Sequence, residues 1–258
     1  MIPKKIHYCW FGKGRLTDSA YKCIESWKKY CPDYEIIEWN EENFNVNICD
    51  YTKEAYENSK WAFVSDYARL WILYNEGGIY FDVDVELIKS IDDIVEEGSF
   101  MGFERNIYGV DQTIKNDFTG VGINPGIGLG AISGLPIFNE LLEDYNHRHF
   151  IEKDGNMNTT SIVDYVTRKF VQKGLILESR KQRVEDIIFY PVDYFGPMNY
   201  LTGELIISEN TRSIHRYSAS WVEKSSKKRM KARYYFMKIL GYRYGVKIYN
   251  VIKKILKK

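Results

Sequence analysis

The stretch from Trp61 to Glu86 limits what this chain can fold into more than any other part of it. Residues Trp61 to Asn75 carry helical spacing, with Phe63, Val64, Tyr67, Trp71 and Tyr74 toward one side. Gly77-Gly78 stops that helix, because glycine enters the left-handed backbone region without a Cβ penalty. Ile79 to Val85 then reads as one short buried strand, with Asp82 and Asp84 two apart at its end. In a strand, residues i and i+2 share a side, so both carboxylates can face one cleft. Two such groups suit a hard divalent cation that also takes phosphate oxygens from a substrate. Acidic residues ending a strand are common, however, and the pair alone does not fix a function.

The flanking segments extend the alternation of strand and helix. Lys4 to Trp10 reads as a first strand closed by Gly12-Lys13-Gly14. Thr17 or Asp18 can cap a helix that runs to about Tyr30 and stops at Cys31-Pro32. Tyr34 to Trp39 alternates apolar and polar residues, as a strand does. Further on, Asn124 to Gly134 is glycine-rich, Pro136 to Asn146 and Ser161 to Lys173 read as helices, and Ile187 to Pro191 as a strand before Phe195-Gly196-Pro197. This order predicts an α/β core in a single domain.

Charge sets the end of the chain apart. Residues 224–258 hold 13 Lys or Arg and no acid, so all 35 acidic groups lie in residues 1–223, beside 23 basic ones. The reading is therefore a domain over 1–223 and a basic helical tail over 224–258. From Tyr242 to Lys258, Tyr244, Ile248, Val251, Ile252 and Ile255 fall on one helical side and Arg243, Lys247, Lys254, Lys257 and Lys258 on the other. An apolar stripe backed by a basic face predicts contact with an anionic membrane surface; a helix packed on the domain with a solvated basic face, or a dimer contact, is the competing reading. No apolar run approaches the roughly 20 residues of a membrane span, and the N-terminal residues lack the apolar segment of a signal peptide. The expected location is cytoplasmic, peripheral on the inner face of the membrane. Cys9, Cys23, Cys31 and Cys49 show no C-x-x-C pairing and read as reduced thiols rather than a zinc site. Aromatic content is 16%, with 21 Tyr and 6 Trp, which suits either sugar and base contacts or a Tyr-rich core. No nucleic-acid partner is expected.

The longer pattern around the acidic pair is specific. Ser65-Asp66-Tyr67-Ala68-Arg69 on the helix, then Gly77-Gly78-Ile79-Tyr80-Phe81-Asp82-Val83-Asp84, resembles the D-x-D sugar-binding region of glycosyltransferase family 32. Bacterial capsular-polysaccharide transferases and yeast initiating mannosyltransferases belong there, and clostridial toxin glucosyltransferase domains are more distant. Ile2-Pro3-Lys4-Lys5-Ile6-His7 with Trp10-Phe11-Gly12 is similar to that family's opening, as are Ser26-Trp27, Pro32-Asp33-Tyr34 and Glu38-Trp39. His215 through Ser220-Trp221 is similar to its C-terminal block. The resemblance covers residues 2–104, continues more loosely over 118–221 and stops there. The run Gly126 to Gly134 departs from common family versions, which leaves the acceptor pocket unassigned.

The resemblance implies a GT-A fold, a Rossmann-like α/β sandwich, and a metal-dependent, retaining transfer of a hexose. The donor would be a nucleotide sugar, with UDP favoured over GDP, and the acceptor a glycan or lipid-linked oligosaccharide in surface polysaccharide synthesis. It implies a divalent cation, Mn2+ or Mg2+, on Asp84 and Asp82, with His215 as third ligand. Asp82 could instead contact the donor ribose, and His215 could be structural. Asp66 would reach sugar hydroxyls, and Arg69 phosphate or sugar; their spacing of three equally allows an intrahelical ion pair. Trp10 would stack on the base unless it is a core residue. Ser220 and Trp221 would close over the donor, and Asn124 would lie on the sugar or acceptor side. Two rival classes stand beside this. Asp82-Val83-Asp84-Val85 also matches the nucleophile motif of haloacid-dehalogenase-type phosphatases, and a sugar-binding protein could keep the fold without the activity.

Overall fold

The computed structural model describes residues 1–105, 120–199, 203–218 and Ile239 of the 258-residue chain. β1 (Lys5–Cys9) leads into α1 (Asp18–Tyr30), whose Thr17 side chain accepts from the Ala20 amide at 3.2 Å and caps it as expected. β2 (Glu35–Trp39), α2 (Asp50–Glu57) and α3 (Trp61–Glu76) follow, and Gly77 ends α3 at φ +66°. Next come β3 (Gly78–Tyr80), β4 (Val85–Leu87), α4 (Asp92–Glu97), β5 (Phe100–Arg105), β6 (Val121–Ile123) and β7 (Leu129–Ala131). α5 (Pro136–Asn146), α6 (Ile162–Gln172), β8 (Gln182–Val184), β9 (Ile187–Tyr190), α7 (Val192–Phe195) and β10 (Ser213–His215) complete the described elements.

One mixed sheet in the order β2-β1-β3-β7-β5-β9-β8, with β6 added to β5, runs through the molecule. Its leading β2-β1-β3 part is wholly parallel. Alternation along the strands divides the core. Tyr80, Met101, Leu129, Ile187 and Phe189 point to the layer holding α2, α3, α5 and α6, whereas Ile79, Phe81, Phe100, Ile188 and Tyr190 point to the layer holding α1. Helices thus cover both faces of the sheet, and the acidic pair sits beyond the C-terminal end of β3. This is the α/β arrangement the sequence leads one to expect, with the site at the carboxyl ends of the parallel strands.

The predicted helix at 61–75 is buried on more than one side. Val64, Ala68, Leu70, Ile72 and Leu73 have no exposed surface, and Asp66 and Arg69 are buried as well. The reason is its place between the sheet and the α2–α5 layer, which leaves little of it facing water.

The expected single strand from Ile79 to Val85 is two short strands. β3 ends at Tyr80, and β4 starts at Val85 and pairs with β10 rather than with the main sheet. The Phe81 amide still bonds to His7 O at 3.1 Å, but the Asp82 amide turns to Gly126 O at 2.8 Å and the Val85 amide closes a turn on Asp82 O at 3.0 Å. Asp82 and Asp84 therefore share a side through a turn, not through strand alternation. α1 fixes that turn from below: the fully buried Trp27 donates its indole N–H to Val85 O at 2.7 Å, and Ser26 Oγ accepts from the Leu87 amide at 2.9 Å.

The glycine-rich run becomes the β6–β7 connection and β7 itself, where a Cβ on Gly130 would strike the Phe100 ring. The tail predicted over 224–258, with the boundary at 223, lies outside the described residues apart from Ile239.

Candidate active site

A cleft of about 450 Å³ opens over the turn that carries the acidic pair. Asp82, Asp84 and His215 meet at its floor, each offering a ligand atom within 4.8 Å of the others. His215 arrives there through the β4–β10 ladder, which sets His215 opposite Val85, and through the Arg216 amide bonded to Asp84 O at 2.8 Å. His215 Nε2 stands 3.2 Å from Asp84 Oδ1. The other oxygen of Asp84 accepts from the amide and hydroxyl of Ser218 at 2.8 and 3.1 Å. Burial disfavours charge on Asp84, but His215 and the two Ser218 donors outweigh it and hold the carboxyl down at about 2. Burial equally disfavours a charged His215, yet Asp84, Glu104 and Asp82 raise the ring to about 9.

Arg69 binds the rest of the floor together. It is buried, and its guanidinium lies 2.9 Å from Asp66 Oδ1 and 3.3 Å from Asp82 Oδ1, with its Nε donating to Ser65 O at 3.1 Å. The Tyr80 ring lies 4.8 Å below the guanidinium, and the Tyr80 hydroxyl donates to Asp82 Oδ1 at 3.2 Å. Burial pushes the Asp66 carboxyl up to about 7 against the pull of Arg69. The intrahelical ion pair and a place in the cleft, alternatives in the sequence, are both present. Asp66 and Arg69 form the pair and also line the cavity.

Trp10 lines the mouth of the cleft and is half-buried, with its indole N–H donating to Gly14 O at 2.6 Å. It is not an interior residue, which leaves part of its surface for a ligand. Asn124 is buried at the cavity wall; it accepts from the Gly126 amide at 2.8 Å and donates to Glu104 Oε2 at 2.8 Å. Of the residues the sequence singled out, Trp10, Asp66, Arg69, Asp82, Asp84, Asn124 and His215 thus face one cavity. Ser220 and Trp221 lie outside the described residues.

Several participants escaped the sequence reading. Gly126 is required by close approach, since a Cβ there would collide with the Asp82 carboxylate and stand 2.8 Å from Arg69 Nη1. Ser218 lies inside the His215 to Trp221 block and could have been found from it. Tyr217 lies in the same block, and Glu104 carries no local signal. Phe63, Thr159 and Ser161 line the same cavity without any motif.

The donor set of two carboxylates and one imidazole fits a divalent cation of the Mn2+ or Mg2+ type, hard enough to favour oxygen. His215 Nδ1 is buried and has no hydrogen-bond partner among the described residues, with Glu104 Oε2 4.0 Å away.

Comparison with known proteins agrees with the motif reading. Residues 17–101 match the family model described as the glycosyltransferase sugar-binding region containing DXD motif. Over 122 residues the chain is 30% identical to inositol phosphoceramide mannosyltransferase 3 of Schizosaccharomyces pombe, an alignment covering 42% of this chain and 33% of that protein. The chain thus spans about a third of the curated relative it matches. Among solved structures, the PaToxG glycosyltransferase is 20% identical with a TM-score of 0.47, covering 67% of this chain and 70% of that one. Mouse xyloside xylosyltransferase 1 in its apo form is 11% identical with a TM-score of 0.49, covering 84% and 99%. The galactosyltransferase LgtC, in complex with donor and acceptor sugar analogs, is 13% identical with a TM-score of 0.45, covering 89% and 95%.

Proposed function

We propose that the chain is a metal-dependent, retaining glycosyltransferase that moves a hexose from a nucleotide sugar, by preference a UDP sugar, to a glycan or lipid-linked acceptor. The observation that carries the reading is the convergence of Asp82, Asp84 and His215 at the floor of a cleft that Trp10, Asp66 and Arg69 also line. A divalent cation held by those three residues would supply positive charge to the diphosphate of the donor.

The remaining work falls to the protein itself. The half-buried face of Trp10 offers a platform for the base, a contact that binds ground and transition states alike. Arg69, locked between Asp66 and Asp82, orients both carboxylates so that little reorganisation is needed when the donor arrives. Asp66 would receive sugar hydroxyls and the buried Asn124 would bond the sugar, a reading supported by both lining the same cavity. No side chain is assigned as general base, in keeping with a retaining reaction in which the leaving phosphate takes the acceptor proton. The phosphatase alternative normally carries its nucleophile motif directly after the first core strand, whereas β1, α1, β2, α2 and α3 precede Asp82 here.

Surface polysaccharide synthesis at a membrane is part of this proposal and rests on the basic tail. Among the described residues no helix is long and apolar enough to cross a membrane. The deciding experiment incubates the full chain with Mn2+ and a panel of nucleotide sugars. Release of a nucleoside diphosphate from one donor is expected. Hydrolysis of simple phosphomonoesters would instead favour the phosphatase, and binding without turnover the inactive scaffold.

A further inference from the structure

Behind the cleft floor lies a buried group that the proposed reaction does not use. Glu104 ends β5 with its side chain 13% exposed, and all of its described polar contacts fall on Oε2. That oxygen accepts from Asn124 Nδ2 at 2.8 Å and from the Tyr217 hydroxyl at 3.2 Å, and it stands 4.0 Å from His215 Nδ1. The backbone of Glu104 is held from its other side, where a Cβ on Gly196 would come within 3.1 Å of the Glu104 Cα. The carboxylate therefore joins three separated parts of the chain: the end of β5, the loop after β6 and the segment after β10. Glu104 does not line the cavity, so it can act on the chemistry only through its neighbours.

Its geometry relative to His215 is directional. One ring nitrogen, Nε2, faces Asp84 on the cleft side, and the other, Nδ1, faces Glu104. The Tyr217 ring lies 4.0 Å from the imidazole and limits its rotation. An imidazole that binds a cation does so through a lone pair and must carry its proton on the far nitrogen. An outer carboxylate facing that nitrogen selects the tautomer and fixes the ring. Burying a carboxylate is costly unless its lone pairs are met, and Asn124 and Tyr217 meet those of Oε2. Asn124 in turn holds the Gly126 amide, whose residue packs directly on Asp82.

We propose that Glu104 is the positioning residue for the cation site, setting the tautomer and orientation of His215 from behind while Asn124 passes its position on to the loop beneath Asp82. The inference rests on the reading that Asp82, Asp84 and His215 bind a divalent cation.

The test is Mn2+ binding to the full chain without substrate, followed by the loss of the free-ion electron paramagnetic resonance signal and by nitrogen couplings from bound imidazole. Wild type is compared with Glu104→Gln, His215→Ala and the double variant. Glutamine keeps an oxygen acceptor for Asn124 and Tyr217 but removes the charge facing Nδ1. Glu104→Gln is expected to weaken Mn2+ binding about 10- to 100-fold and to reduce the nitrogen coupling. In the His215→Ala background the same change is expected to add almost nothing, because the residue it acts through is gone. Unchanged affinity and coupling in Glu104→Gln, or full additivity in the double variant, would overturn the proposal. Wild type that binds no Mn2+ would instead overturn the cation site itself. If Glu104→Gln does not fold, Tyr217→Phe carries the comparison. It removes one donor to Glu104 while keeping the ring, and weaker Mn2+ binding with altered nitrogen coupling is expected, whereas wild-type behaviour would count against the role.

Discussion

Acid should weaken this fold through His7, whose side chain joins β1 to β2 and to the end of α3. His7 has no exposed surface, and its Nδ1 lies 3.0 Å from the Trp39 indole nitrogen. An indole nitrogen can only donate, so Nδ1 accepts, and the ring proton sits on Nε2, donated to Gly77 O at 2.9 Å. The ring is neutral with both nitrogens in use, and a second proton would confront the Trp39 N–H. Burial lowers its pKa from 6.5 to about 4, against the raising effect of the Gly77 carbonyl. The folded state thus binds fewer protons than the unfolded one across that window. Its contribution is complete above pH 6.5 and is lost as pH falls toward 4. One proton carried over that interval is worth about 3 kcal/mol, of which roughly 2 kcal/mol disappears between pH 7 and 5. Urea unfolding of wild type and His7→Gln, followed by tryptophan fluorescence at pH 7, 6 and 5, checks this. His7→Gln should start less stable and lose less on acidification, since carboxylates elsewhere titrate in both proteins. Parallel stability curves for the two proteins would refute the reasoning.

Four further outcomes are expected. Gly126→Ala should cut turnover about 100-fold while the circular dichroism stays native, because the new Cβ displaces the Asp82 carboxylate; near-normal rates would remove Gly126 from the site. Asp84→Asn should abolish Mn2+-dependent transfer in a folded protein, and retained turnover would sink the assignment of Asp84 as ligand. Trp10→Ala should raise the donor KM more than it lowers kcat, since a half-exposed platform contributes mainly uniform binding; misfolding would mean that Trp10 serves the core instead, at a cost of roughly 3–5 kcal/mol. Full-length protein should co-sediment with anionic liposomes at low salt and a 1–223 truncation should not, whereas equal partitioning of the two would defeat a membrane role for the tail.

What the sequence determined on its own was local. The helix over Trp61–Glu76, its stop at Gly77 and the first strand–helix–strand unit follow from periodicity and caps, interactions that reach a few residues along the chain. The S-D-x-x-R residues were legible because a helical turn brings positions three apart onto one face, whereas Asp82 and Asp84 were noticed as a pair but meet through a turn that their spacing did not predict. Tertiary structure decided the rest. The strand read from Ile79 to Val85 broke at Phe81 because the Asp82 amide found Gly126 O and β4 found β10, partners well over a hundred residues apart in the second case. A three-residue ladder has too little pattern to be seen in advance, yet together with the Arg216 amide it brings His215 to Asp84. Tyr217 and Ser218 lie in the same block as His215, but their contacts with Glu104 and Asp84, more than a hundred residues away, and the part of Glu104 itself, follow from the tertiary structure and from no spacing in the chain.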